Sequence, residues 1–474
     1  MRKTLLVTSA ALLLTAAPCA LAAEPMTMEQ MQMQLEALSK QVEKLSTVVE
    51  EQNRLIRKQT ANLESQDAKL AEQAEKLGKQ SSVVETLAAI KPAAGEEKKD
   101  AVKITMKSAP KIESADGKYS FQPLGRVHLD YTYFADDVRD NPNNVHFRRA
   151  RIGAKGDLGE DFNYKFEMDF SGDAANILET YIAYTGMDFA ELWLGNFKPP
   201  VGLEQNTSTN YMEFIENAPV TNAFTRGEII GAALKGGGDN WSLAGGLFNE
   251  DPGTNTADEE AWSVDARASV DLLKDSPDVI HLGLGGSFRA PNAAAETVTL
   301  AVRSAGTGAN TVSTGAIANV DHAFVYAAEL AGVFGPFSAQ GEYMHYEIDR
   351  DAVATEPEFD GWYAQASYFL TGESRPYKGK TGSFDRIKPK EPFSLKNGGS
   401  GAWEILARYD TLDLNDAGAG VLGGETDNMT LGVNWYLTDY IRMMANYVSV
   451  DTDNNAVSPN DDPDIVTLRA QWDF

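Results

Sequence analysis

The stretch IVTLRAQWDF (465–474) places an apolar side chain at every second position: Val466, Leu468, Ala470, Trp472 and Phe474. Thr467, Arg469, Gln471 and Asp473 fall between them. A period of two marks a β-strand with one apolar and one polar face. Chain ends are normally frayed and polar. A strand that keeps full alternation to a terminal aromatic residue is expected to be paired on both edges. In a closed barrel the last strand meets the first, and this stretch reads as the closing strand.

The same period runs back to about Tyr119. Val127, Leu129, Tyr131 and Tyr133 alternate with Arg126, His128, Asp130 and Thr132. Trp262, Val264, Ala266, Ala268 and Val270 alternate with Ser263, Asp265, Arg267, Ser269 and Asp271. A soluble sandwich would turn such a charged face to outside water, and a transmembrane barrel would turn it to a wet lumen. Alternation alone leaves both open, but three features favour the barrel. Strands of about ten residues suit a tilted crossing of hydrocarbon. Aromatic clusters such as DYTYF (130–134) and WYAQASYF (362–369) sit at strand ends, as interfacial girdles do. An export signal, described next, removes the chain from the cytoplasm. Strand centres near 130, 151, 166, 181, 194, 232, 244, 266, 284, 329, 341, 365, 407, 433, 445 and 469 give sixteen. An even count returns the closing strand to the side where the first began.

Arg2 and Lys3, an apolar run over 5–17 and Ala20–Leu21–Ala22 predict a signal peptide over residues 1–22. Cys19 is the sole cysteine, so the mature chain would have no disulfide, thiolate metal site or cysteine nucleophile. Met28, Leu35, Val42, Val49, Ile56, Leu63, Leu70 and Leu77 recur every seven residues, which predicts a coiled coil over 26–78, roughly 75 Å long. Consecutive glutamines at d, Gln52, Gln59, Gln66 and Gln73, favour three strands ringed about an axis. Residues 79–118 read as a linker and 119–474 as the barrel. The expected fold class is therefore all-β: a 16-stranded antiparallel transmembrane β-barrel preceded by an N-terminal trimeric coiled-coil helix.

Several stretches resemble one known family, the phosphate-selective porins O and P of Gram-negative outer membranes. They include GRVHLDYTYF (125–134), FRRARIGAKGDL (147–158), LGNFKPPVGLE (194–204), FDGWYAQASYFLTGESRPY (359–377) and GAWEILARYDTLDLND (401–416). The resemblance spans about 119–474. It implies a homotrimeric sixteen-stranded porin whose third loop folds into the channel, passing phosphate-like anions along inward arginines. Trp472 and Phe474 resemble the aromatic signal read by the outer-membrane assembly machinery.

Strand parity makes Arg126, Arg149, Arg151, Lys155, Lys165, Arg226, Lys235, Arg267, Arg289, Arg408, Arg442 and Arg469 inward bases, and Lys198 opens the third loop. Arginine on a pore wall attracts oxyanions by charge and forked donors. Inward acids, among them Asp130, Glu167, Asp169 and Glu329, alternate with them, so cross-strand pairing could leave an unselective pore instead. NEDPGTNTADEE (249–260) and DTDNNAVSPNDDPD (451–464) carry five acids each and predict an acidic mouth that would oppose phosphate or hold cations bridging lipopolysaccharide. Segment 373–400 is long where a short turn is expected, and it is basic. It is either a missed hairpin or a segment with its own role, drawing anions or facing periplasmic partners.

A formal charge of −27 argues against nucleic acid as a partner. The histidines His128, His146, His281, His322 and His345 have no ligand spacing, and no catalytic constellation stands out, so no metal, cofactor or enzymatic activity is expected. The expected function is passive diffusion of small anions through the outer membrane, with phosphate or polyphosphate preferred by resemblance. The alternative is an unselective porin that anchors the outer membrane to peptidoglycan through a periplasmic stalk.

Overall fold

Alternation resolves into sides once the strands pair. A computed structural model describes residues 102–474 apart from 107–108, 136, 173, 250–260, 274–276, 292–295, 352, 354 and 456–459. The expected signal peptide, the coiled coil and most of the linker lie outside the described residues, as does nearly all of the acidic fourth loop. Sixteen strands form the barrel wall: β1 Ser120–Ala135, β2 Asn144–Asp157, β3 Phe162–Asp169, β4 Thr180–Tyr184, β5 Glu191–Phe197, β6 Ile229–Gly237, β7 Trp241–Asn249 and β8 Trp262–Asp271. They continue as β9 Val279–Ala290, β10 Val320–Phe334, β11 Phe337–Arg350, β12 Glu358–Phe369, β13 Ala402–Asp416, β14 Val421–Tyr436, β15 Ile441–Asn455 and β16 Asp464–Asp473. All neighbours are antiparallel, and β16 pairs with β1 from Asp464↔Ala135 to Asp473↔Arg126, which closes the sheet. Every strand centre expected from the sequence falls inside one of the sixteen.

Phe474 completes the seam by exchanging backbone hydrogen bonds with Gly125 at 3.1 and 3.0 Å. Its ring lies where a side chain at Gly125 would be: a Cβ there would sit 2.1 Å from it. Trp472 faces outward on the same strand.

The apolar face is outermost. On β1, Leu129, Tyr131 and Tyr133 are 38%, 39% and 43% exposed, whereas His128, Asp130 and Thr132 between them are 0%, 2% and 1% exposed. An apolar band outside and charges inside is the transmembrane arrangement. Three departures from simple alternation shape the interior. Between His128↔Arg149 and Leu129↔Phe147 the pairing slips by one residue, leaving Arg148 in a β-bulge. The slip changes the phase of β2, so Arg148, Arg149 and Arg151 all face inward. Further round, the loop-side halves of β10–β13 carry apolar residues inside: Val325, Met344, Ile348, Phe359, Leu412 and Leu414 are buried there in one cluster. Finally, the wall is uneven, with β4 and β5 of 5 and 7 residues against 15 to 16 in β13–β15.

The third loop, 198–228, carries two short helices, α1 Leu203–Asn206 and α2 Pro219–Phe224. It packs inside the barrel: Val220 and Phe224 of α2 belong to the apolar cluster, together with Leu300, Val302, Val312 and Ile317 of the fifth loop. The β12–β13 connection, the sixth turn (370–401), also turns inward. It is not a barrel hairpin, although it contains a two-residue pairing of Tyr377–Lys378 with Ser383–Phe384. Ahead of β1, Lys103–Met106 pairs with Pro110–Glu113, which meets β1 at Ile112↔Phe121.

Candidate functional site

An interior polar loop must satisfy its own backbone. Here the wall does so with charged side chains. The Glu342 carboxylate accepts from the Leu203 and Glu204 amides, both at 2.7 Å, at the start of α1. Arg289, Arg408, Arg442 and Arg469 donate to the carbonyls of Phe224, Glu216, Met212 and Ile215 at 2.6, 3.0, 2.6 and 2.7 Å. Arg267 does the same for the sixth turn, reaching the Gly382 carbonyl at 2.7 Å while holding Glu329 with both Nε and Nη2. These five arginines point inward as expected from parity, but they lie beneath the inward-folded segments. Three of the loop's four acids act as staples too. Glu204 accepts from the Ala218 amide, Glu213 binds Ser338, Ser367 and Gln365, and Glu216 pairs with Arg148 at 2.9 Å and Arg469 at 3.1 Å.

What the loop leaves open runs along the opposite arc. A cavity of about 340 Å³ on the loop side is lined by Arg126, Arg148, Arg149, Arg151, Lys198 and Arg226, with Glu179 and Glu228 its acids among the described residues. A second, about 640 Å³, lies on the turn side. Its bases are Arg126, Arg151, Lys155 and Lys165 from the wall and Lys378, Arg386 and Lys388 from the sixth turn, against four acids, Glu167, Glu179, Asp385 and Asp473. The two share Arg126, Arg151, Glu179 and Ser208 and adjoin there, and together they are the passage that the third loop leaves open. Lys235 lines neither cavity: its ammonium sits 3.8 Å over the Trp193 ring.

Pairing divides the passage bases. Arg151 binds Asp169 at 2.8 Å and Glu167 at 3.2 Å, Lys165 binds Glu167 and Glu179, and Arg226 binds Asp265 at 2.8 Å. Arg126 donates to Thr209 at the tip of the loop. Arg149, Lys155 and Lys198 make no ion pair among the described residues. The Arg149 guanidinium meets only the His128 ring, at 3.4 Å, and Lys198 donates to the Gln205 carbonyl. Unpaired cations project the strongest field into a passage. At the mouth, Asp461 is taken up by Arg139 and the Val138 amide, and Asp462 by Thr452, so part of the negative charge of the acidic stretch 451–464 is satisfied internally.

Burial alone would raise the Glu216 carboxyl, but Arg148, Arg469 and Arg149 hold it down at about 2 against an ordinary 4.5. A depressed carboxyl stabilises its tether fully above the ordinary value and loses it as pH falls through the folded one. The Glu216 tether is therefore expected to hold from neutral pH to 4.5 and to fail as the pH approaches 2, with a step up in single-channel conductance there as the loop slackens. Glu216→Gln should abolish that acid step, and a variant that keeps it would remove Glu216 from the tether.

Sequence parity missed Arg148, because the bulge that turns it inward leaves no mark in the pattern. It also missed the passage-facing sixth-turn bases Lys378, Arg386 and Lys388, whose segment stood out only by length and charge.

A closed sixteen-stranded barrel, apolar outside, charged within and narrowed by a loop folded into its lumen, is a channel of the outer-membrane porin class rather than an enzyme. The family model for phosphate-selective porin O and P matches residues 121–474. The chain belongs to that family. It is 29% identical over 416 residues to Porin O of Pseudomonas aeruginosa, covering 78% of this chain and 92% of that one. It is 30% identical over 420 residues to an uncharacterized protein of Caulobacter vibrioides, covering 83% of this chain and 81% of that one. Among solved structures, in-vitro folded OmpT of Vibrio cholerae in its trimer form matches 75% of this chain and 99% of its own, with a TM-score of 0.49 and 10% identity.

Proposed function

We propose that the channel passes small oxyanions by diffusion, with phosphate-like ions preferred. One observation carries this reading: the passage is lined by an excess of bases in a protein whose formal charge is −27. The forked guanidinium donors of Arg126 and Arg151, which line both cavities, suit tetrahedral oxyanions. The family's description points the same way. In planar bilayers under a potassium chloride gradient, the zero-current potential should favour chloride, and millimolar phosphate should reduce chloride current. A potential near zero with no phosphate block would leave the unselective reading.

We infer further that the protein is a homotrimer. A strand needs roughly 9–11 residues to cross hydrocarbon, and β4 and β5 have 5 and 7. Ile182 and Leu194 on their outward faces are about half exposed. A neighbouring protomer covering this low wall would spare it from lipid. The heptads over 28–77 support a trimeric stalk in the periplasm, and contact with peptidoglycan is the anchoring role such a stalk would serve.

A further inference from the structure

We propose that the sixth turn is the seat on which the third loop rests, and that Arg375 is the positioning residue through which it sets the width of the passage. The proposal concerns width, and it holds whichever ion the channel prefers.

The third loop enters the lumen from the loop side and the sixth turn from the opposite end. They meet at three places. Arg375 pairs with Glu213 at 2.8 Å, with both side chains 3% exposed. Phe384 packs with Leu203 of α1 in a cluster that also holds Val279, Ala331 and Val333 of the wall. Arg386 reaches Tyr211 at 3.4 Å while pairing with Asp473. Two segments anchored at opposite ends of the barrel are thus joined in its interior, and Tyr211 and Arg386 both line the turn-side cavity.

Arg375 is the keystone of this contact. Its guanidinium also donates to Gln340 at 2.6 Å and stacks 3.5 Å over the Phe384 ring. It touches neither cavity lining, so it acts on permeation only through the loop. Around Glu213, β11 supplies Ser338, and β12 supplies Gln365 and Ser367. Asn434 of β14 bridges the Glu213 carbonyl to Glu404 of β13, the other carboxylate facing this point. Arg375 is the cation that pairs with Glu213 among the described residues. A buried carboxylate stripped of its partner either expels itself into water or takes up a proton. Expulsion of Glu213 moves the loop that carries it.

The experiment is single-channel recording on the full-length protein, with heat-modifiable gel mobility to verify a folded barrel. Arg375→Met should raise conductance roughly twofold. The double variant Glu213→Gln/Arg375→Met removes the stranded charge and should return conductance to wild type. Wild-type conductance in Arg375→Met overturns the proposal, as does a double variant that departs as far as the single one. Should Arg375→Met fail to fold, Phe384→Ala carries the test. It withdraws the ring from Leu203 and from Arg375 without touching a charge, and an unchanged conductance overturns the seat.

Discussion

Changing Arg149 and Lys198 together to glutamate is expected to erase the anion preference proposed for the channel. The loop-side cavity has six bases and two acids, an excess of four positive charges. Two reversals leave four bases and four acids, which removes the whole excess. Arg149 and Lys198 are the effective choice because neither is held in an ion pair, and no carboxylate is released to re-pair with a neighbour. The permeability ratio of chloride to potassium should fall by about tenfold in 0.1 M salt, where charges act over about 10 Å. The measurement is the zero-current potential across a bilayer. An unchanged potential would show that ions pass elsewhere than beside β1 and β2.

The second large effect is structural. Arg469→Met should detach the third loop and destabilise the barrel by about 3–5 kcal/mol, the cost of stranding partners of a buried charge. Arg469 donates to Asp130 through Nε and Nη2, both at 2.7 Å, and its Nη1 holds the Ile215 carbonyl. Its side chain is 1% exposed and that of Asp130 2% exposed, so neither can turn to water in place. Asp130 and the loop carbonyl would lose their donor at once, and Glu216 would keep Arg148 alone. Unfolding of purified protein in a denaturant series should shift to lower concentration, with larger and noisier conductance from the molecules that remain folded. Adding Asp130→Asn removes one stranded charge and should recover part of the stability. Unfolding that coincides with wild type would mean that the loop does not depend on this arginine.

The wall was legible because alternation is a local property. WSVDARASVD (262–271) announces its two faces in ten residues, and in the structure Ser263, Asp265, Arg267, Ser269 and Asp271 are all buried on the inner side. Alternation does not say what fills the inside. HAFVYAAELAGVF (322–334) runs nearly without polar interruption. That run marks a strand covered on both faces, by lipid outside and within by the cluster of α2 and the fifth loop at Val325 and by Leu203 and Phe384 at Ala331 and Val333. The fate of each inward arginine was hidden for the same reason. Arg149 and Arg408 have the same parity, yet one faces an open passage and the other lies under a loop carbonyl. The difference is set by contacts across more than 190 positions of chain, from Glu216 to Arg408. The bulge at Arg148 was unreadable because one inserted residue shifts phase without altering composition.

The dry cluster on β10–β13 has a consequence for how such channels diversify. The largest apolar cluster lies on β10–β13 and the passage bases on β1 and β2, on different arcs of the same cylinder. Distant, unshared sites contribute nearly independently. Lineages of this architecture can therefore retune what they admit by changing passage-facing positions of β1, β2 and the loop tip while the apolar cluster on β10–β13 stays untouched. Sequence drift between relatives should concentrate on the former arc and spare the latter.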